Sequence, residues 1–332
     1  MAQEKRIFLY DNAKIFLMIL VVVGHFADIL VKESDFCKSV YLFIYTFHMP
    51  LFIFISGQFH KNKNILQKVL SYTIIGFALK IILSITDAIM KSTAPKFSLL
   101  SDLGISWYMF AMAAFILFSY VLRNIDKRFL IVVFILLACF AGYDSSVKDY
   151  LYLSRIIVFY PFYLLGEISD KESVIKITES KWAKLSAVII LSVLAVLCFT
   201  QIEKLYFLRP LFTGRNPFSV KEQFNTFGCL YRAVFYAVAF ISGFSFLSLM
   251  PNKKLPGLTS FGSRTLNIYF WQYVFIKLFV RIGLSSFLSE SFAGVLVWLL
   301  LGVLVSFLLC FKIFEFPCKQ IIKACREQKI EN

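Results

Sequence analysis

The chain has 332 residues, 59% of them hydrophobic and only 17% charged, with a mean hydropathy of +0.75. A soluble domain carries roughly 45–50% apolar and about 25% charged residues, so this balance, gathered into long apolar runs, excludes a soluble enzyme and points to a continuous membrane domain. A net charge of +15 is the kind of excess that nucleic-acid binders show, but here Lys and Arg flank the apolar runs as topology signals do, which excludes nucleic acid as the partner.

A spanning helix needs roughly 20 apolar residues. Runs near 8–31, 39–59, 65–90, 104–122, 129–143, 151–168, 184–200, 228–250, 266–288 and 293–314 satisfy or approach that length. They predict an all-α, polytopic transmembrane bundle of about ten helices, a single domain over 1–332 that ends in a short, basic cytoplasmic tail at 318–332. The longest connector, about 200–228, reads as a loop. The first run is interrupted by Asp11 and Lys14 and no small-residue cleavage site follows it, so it is expected to remain as the first helix. With the N-terminus inside, 19 Lys and Arg fall on inner segments and 10 on outer ones, and both termini are expected in the cytoplasm. The seven cysteines are scattered without a C-x-x-C pair and there are three histidines, so no metal site is expected.

The first helix carries three ionisable residues, Asp11, Lys14 and His25. Lys14 and His25 lie eleven residues apart, about 20° past three full turns, so they share a face and stand about 16.5 Å apart along the axis. Asp11 is one turn below Lys14 on that face. Lys14 and Asp11 can simply pair near the inner surface, but His25 lies too deep for that account and is the better functional candidate. The second helix holds His48 just before Pro50, which removes a backbone donor and kinks the span. His48 lies at mid-depth, either bonded to a freed carbonyl or close to His25 across the short loop. His60, among Lys61 and Lys63, reads as interfacial.

Further along, Trp107 and Tyr108 form an aromatic pair of the belt or packing kind. Arg155 and Arg232 enter apolar runs, either as snorkelling anchors or as forks matched to phosphate oxygens. Pro161 beside Arg155 marks a lined cavity rather than a plain lipid-facing helix.

RIFLYDNAKIFLMILVVVGH, with a basic residue, ten spacers and a His from Lys14 to His25, resembles the signature of the acyltransferase family 3 membrane O-acyltransferases. FHMPLFIFISG at 47–57 resembles the second family block, and weaker echoes follow at 105–115, 154–167 and 258–272. The resemblance implies transfer of an acyl group, usually acetyl from acetyl-CoA, to a hydroxyl of a cell-surface or exported carbohydrate, in the inner membrane of a bacterium. It departs from the family at Gln272, where many relatives carry a His.

On this basis the anionic end of acetyl-CoA is expected at an inner mouth near Lys14, with Arg155 and Arg232 as further contacts. The pantetheine arm would run along the first helix to His25, the general base, with His48 sharing its proton or stabilising an oxyanion. Asp11, Trp107 and Gln272 are supporting residues. The expected partners are a glycan acceptor and membrane lipid. The alternative is a secondary transporter or exporter of a small polar or anionic solute, since buried charges and a Pro-broken helix also mark such proteins.

Overall fold

The computed structural model describes residues 7–101, 104–147, 150–215 and 217–327. Lys5, Arg6, Lys148 and Lys329 of the charge balance, and the end of the expected tail, lie outside those residues. Among the described residues every regular element is helical. In order these are α1 (Phe8–Ile29), α2 (Asp35–Tyr45), α3 (His48–Gln58), α4 (Ile65–Lys91), α5 (Trp107–Val121), α6 (Lys127–Ala141), α7 (Leu153–Ile168), α8 (Lys171–Glu179) and α9 (Lys181–Thr200). Then follow α10 (Ile202–Leu205), α11 (Arg209–Thr213), α12 (Phe224–Ser248), α13 (Leu258–Phe261), α14 (Thr265–Arg281), α15 (Leu284–Ser289), α16 (Phe292–Leu308) and α17 (Cys318–Glu327), with short 3₁₀ turns between some of them.

Among the described residues six segments are long and apolar enough to cross a membrane: α1, α4, α9, α12, α2 with α3 taken together, and α7 with the turn before it. The expected count of about ten is not confirmed. The other four expected spans coincide with α5 and α6, of 15 residues each, and α14 and α16, of 17. Seventeen residues cover about 26 Å against a hydrocarbon core of about 30 Å. Hydropathy overlooks such breaks because they are made of apolar residues too. At the end of α14, Ile282 and Gly283, the latter at φ +76°, turn the chain, and the apolar run continues into α15. Only glycine takes that conformation freely.

A similar break divides the second expected span. α2 stops at Tyr45 and α3 begins at His48, with Phe47 at φ −136°, ψ −24° between them. Pro50 has no N–H for the Thr46 carbonyl, and the Thr46 hydroxyl caps the carbonyl of Phe43 at 2.7 Å.

α1 stands at the centre, packed against α2, α3, α13, α14 and α16. Its N-terminal end is pinned by Asn12, which is fully buried. The Asn12 amide donates to the carbonyls of Pro251 and Lys253 at 2.7 and 2.9 Å, and its oxygen accepts from Thr259 at 2.7 Å. Its C-terminal end is held by Trp298 of α16, whose indole donates to the Phe26 carbonyl at 2.8 Å. α3 and α7 cross closely because each puts a glycine at the contact. A Cβ on Gly57 would sit 2.1 Å from the Tyr163 carbonyl oxygen, and one on Gly166 would sit 2.1 Å from that of Phe54.

At the periphery the pattern inverts. α9 is the most apolar of the six spans, yet only 17% of its apolar window is covered by protein. Val188, Ile189, Val193 and Val196 point outward. An apolar surface of that extent needs an apolar solvent, and these long apolar helices make this an integral membrane protein.

The 200–228 connector is more ordered than a loop: it holds α10, α11 and two 3₁₀ turns before α12 begins at Phe224. Beyond Pro317, α17 packs on α4, with Cys318 and Cys325 buried.

Candidate active site

Every polar candidate on α1 falls on one helical face. Lys14, Met18, Val21, His25 and Asp28 follow each other at spacings of four, three, four and three residues, the repeat that keeps side chains on one side of a helix. That face opens into two cavities at opposite ends of the helix. One, of about 420 Å³, contains Val21, His25 and Asp28 in its wall. The other, of about 720 Å³, contains Lys14. They share four wall residues: Met18, Phe52, Tyr108 and Tyr269. The Tyr269 hydroxyl donates to the Ile105 carbonyl, and Ser56 and Tyr108 share a hydrogen bond of 3.3 Å. The septum is therefore made of two tyrosines, a phenylalanine and a methionine, and polar contacts hold its two tyrosines in place.

His25 and His48 line the same cavity, as the antiparallel pairing of the first two spans predicts. The rings stand among tyrosines: His25 meets Tyr273 edge-on at 5.2 Å and His48 meets Tyr45 at 4.5 Å between centroids. His48 Nδ1 lies 2.9 Å from the Ile44 carbonyl oxygen. A carbonyl only accepts, so in the neutral ring Nδ1 carries the proton and Nε2 keeps the lone pair. The carbonyl bonded is one turn before His48 itself, not the one freed by Pro50.

Arg155, 6% exposed, lines this cavity too, and its guanidinium lies 4.7 Å from the centre of the Trp107 ring. Trp107 is stacked in turn on Phe159 at 5.6 Å. Arg155 and Trp107 thus form one cation–π unit in the wall. Arg232 lies elsewhere. It is 1% exposed, donates to the Leu211 carbonyl at 3.1 Å between the rings of Phe218 and Phe235, and is in the wall of neither cavity. Gln272 is fully buried behind the cavity, its amide 3.4 Å from the Tyr269 carbonyl oxygen. Lys14 holds its ammonium 4.3 Å over the Phe59 ring. Asp11 is not in the cavity wall, and its carbonyl abuts Gly262.

Two arrangements were not anticipated. Asp28, one turn beyond His25, forms an ion pair with Arg209 of α11, and Arg209 also lies 4.6 Å over the Tyr41 ring and 3.2 Å from the Tyr206 hydroxyl. Its position on the stripe was the available signal. His60 is not a plain interfacial residue. Its side chain is 6% exposed, 2.8 Å from the Tyr163 hydroxyl and 3.3 Å from the carboxylate of Glu167, which is itself 2% exposed and paired with Lys127. Nothing in the sequence near His60 announces partners more than a hundred residues away.

The arrangement suits chemistry in which a long reagent enters at the Lys14 end and meets a second molecule beside two imidazoles and a buried guanidinium. Among the described residues no group of three or more potential metal ligands occurs.

Comparison with known proteins gives the chemistry a class. The chain is similar to the nodulation protein NolL of Mesorhizobium japonicum, at 29% identity over 221 residues that make up 57% of this chain and 55% of that protein. It therefore spans about half the length of that curated relative. No solved structure matches significantly. The acyltransferase domain model of acyltransferase family 3 matches residues 9–315, which takes in nearly all of α1 through the turn after α16, the whole wall of the smaller cavity and that of the larger one except Ile322 and Arg326, and the chain accordingly belongs to that acyltransferase family.

Proposed function

We propose that this protein is a membrane O-acyltransferase that moves an acetyl group from acetyl-CoA, entering at the inner end of α1, to a hydroxyl of a carbohydrate at the outer end. The observation that carries this is the pair of cavities on one face of α1, with Lys14 in the wall of one, His25 in the wall of the other and four wall residues common to both.

CoA is an anionic nucleotide on a long, slender arm. The larger cavity offers Lys14, Lys68 and Arg326 for the charged end and Asn64, Gln67 and Ser71 as hydrogen-bonding partners. From Lys14 to His25 the rise is about 16.5 Å, a distance the arm can bridge past Met18. The thioester then arrives in the smaller cavity, whose aromatic and polar wall suits a sugar. Arg232, tied to the Leu211 carbonyl, belongs to the scaffold in this reading rather than to the donor site.

His25 accepts the proton of the acceptor hydroxyl as its oxygen attacks the thioester carbonyl; the C–S bond breaks and CoA leaves as the thiol after protonation. His48, with Nδ1 donating to Ile44, offers Nε2 as a relay for that proton. Arg155 and Trp107, in the wall of the same cavity, are assigned to fixing the acceptor, and the guanidinium to stabilising the negative charge that develops on the carbonyl oxygen. Both termini lie in the cytoplasm of a bacterial cell in this scheme, the donor is drawn from the cytoplasm and the acceptor from outside. A positioned base accounts for roughly 10²–10⁴ in rate, so His25→Ala, purified at normal yield with an unchanged thermal transition, should lose at least about a hundredfold in transfer of labelled acetyl from acetyl-CoA to membrane-associated glycan. Near-normal transfer by that variant removes His25 from the mechanism.

A further inference from the structure

The C-terminal end of α6 meets the N-terminal end of α12 and the connector that precedes it. The Gly142 carbonyl accepts from the Phe218 amide at 2.6 Å, and the Tyr143 hydroxyl donates to the Thr226 carbonyl at 3.2 Å. The Phe218 ring is seated between the two helices. A Cβ on Gly142 would lie 2.4 Å from that ring, and one on Gly228 would lie 2.1 Å from it. The 200–228 connector is thus plugged into the α6–α12 cleft by one side chain, for which a glycine on each side makes room.

Next to that plug stand two cysteines. Cys139 is one turn before Gly142, and Cys229 follows Gly228. The Cys139 thiol donates to the Cys229 carbonyl at 3.8 Å, and the Cys229 thiol donates to the Cys139 carbonyl at 3.5 Å. The two thiols also interact with each other. Cys310, by contrast, turns its thiol back to its own helix, at Ser306. Reciprocal contacts of this kind need two side chains that face each other across one gap, and facing side chains are what a disulfide needs. Cys139 is 8% exposed and Cys229 is half-buried, so the pair can be reached from the Cys229 side.

We propose that Cys139 and Cys229 form a disulfide in the mature protein, and that this bond locks the connector over the cavity that holds His25. This rests on the functional reading for its compartment: that scheme puts these helix ends outside the cytoplasm, where disulfides persist. The oxidant is a disulfide donor, either a thiol–disulfide oxidoreductase or a small disulfide. The Cys229 thiolate attacks one sulfur of the donor, and the other donor sulfur leaves as a thiol. The Cys139 thiolate then attacks the Cys229 sulfur, and the first donor sulfur leaves as a second thiol. The two cysteines give up two protons and two electrons, and the donor takes up both pairs.

The lock acts through α12. Arg232, three residues beyond Cys229, donates to the Leu211 carbonyl of α11 at 3.1 Å. Arg209, Pro210, Phe212 and Thr213 of that short helix line the smaller cavity, where Arg209 pairs with Asp28. A 139–229 bond therefore fixes both the cleft that grips Phe218 and the helix from which α11 hangs. It also joins positions 90 residues apart, and a loop of that length loses much freedom in the unfolded chain.

The test uses the full chain. Cells that make it are quenched in acid to trap their thiols, free thiols are alkylated, and the digested protein is read by mass spectrometry. A peptide pair linked through Cys139 and Cys229, lighter by two hydrogens than the reduced pair, should account for most of the protein. In nanodiscs, reduction by dithiothreitol should lower the melting temperature by about 5 °C or more. It should also speed amide exchange across the 200–228 connector by about fivefold or more. Cys139→Ala and Cys229→Ala, each measured with and without dithiothreitol, should show neither shift. Both cysteines alkylated in the quenched cells overturns the proposal. So does a linked pair whose reduction leaves melting and connector exchange unmoved. No acyl transfer enters these measurements, so such a result leaves the acyltransferase reading to stand or fall on the His25→Ala assay.

Discussion

At the scale of single residues, the site depends on which atom of each side chain is committed. His48 illustrates this, because its Nδ1 is bound to the Ile44 carbonyl at 2.9 Å while its ring faces the cavity. Asn can place its amide nitrogen where Nδ1 lies but has nothing at the position of Nε2. His48→Asn should therefore keep a thermal transition close to wild type while losing about a hundredfold in acetyl transfer, within the range for a lost proton-transfer group. His48→Gln, which lacks the local hydrogen bond, should be the less stable of the two. Equal activity of His48→Asn and wild type assigns His48 to packing alone. Lys14, His25 and His48 could be read from the sequence because an ionisable residue in an apolar run stands out and helical spacing says which residues share a face. Arg232 was flagged by the same rule yet serves α11, since burial of a charge looks alike in sequence whether its partner is a backbone carbonyl or a ligand. His60 was passed over for the opposite reason: its lysine neighbours suggested a surface, and its buried partners, Tyr163 and Glu167, come from a different helix.

At the scale of elements, the broken second span and the α3–α7 crossing put His48 where it is. Gly57 and Gly166 each face the partner's backbone, and backbone cannot move aside as a flexible side chain can. Gly57→Ala or Gly166→Ala should push the helices apart and destabilise the fold by on the order of 1–3 kcal/mol, the usual effect of overpacking. The measurement is the melting temperature in detergent, and an unchanged value means the crossing relaxes freely. Ser56→Ala, beside Gly57, is the matching control for a small change on the same helix. Pro50 told from sequence that the second span would be kinked, and the structure places the break at Thr46–Phe47. The helix ends at Ile282–Gly283 and the helical turns in the 200–228 connector were not legible, because apolar residues continue through the first and no periodic stripe organises the second.

At the scale of the whole molecule, composition alone told the class, a helical membrane protein; the structure adds that peripheral α9 leaves most of its apolar surface uncovered while central α1 faces two cavities. The division of that space into two cavities was beyond the sequence, since it depends on Met18, Phe52, Tyr108 and Tyr269 meeting from four helices. Met18 is the stripe residue that lines both cavities. Met18→Trp should fill the passage, leaving acetyl-CoA binding at the Lys14 end within about threefold of wild type while transfer falls by about a hundredfold, as expected when reacting groups are kept from contact. Retention of full transfer would mean that the donor arm takes another route. The same septum has a meaning for the cell that holds the protein. Two water-accessible hollows that meet end to end would be a hole in an energised membrane, through which protons run down their gradient. Four side chains, three of them aromatic, line both hollows; in the proposed scheme they are the insulation, which must let a thioester slide past while admitting no continuous file of water.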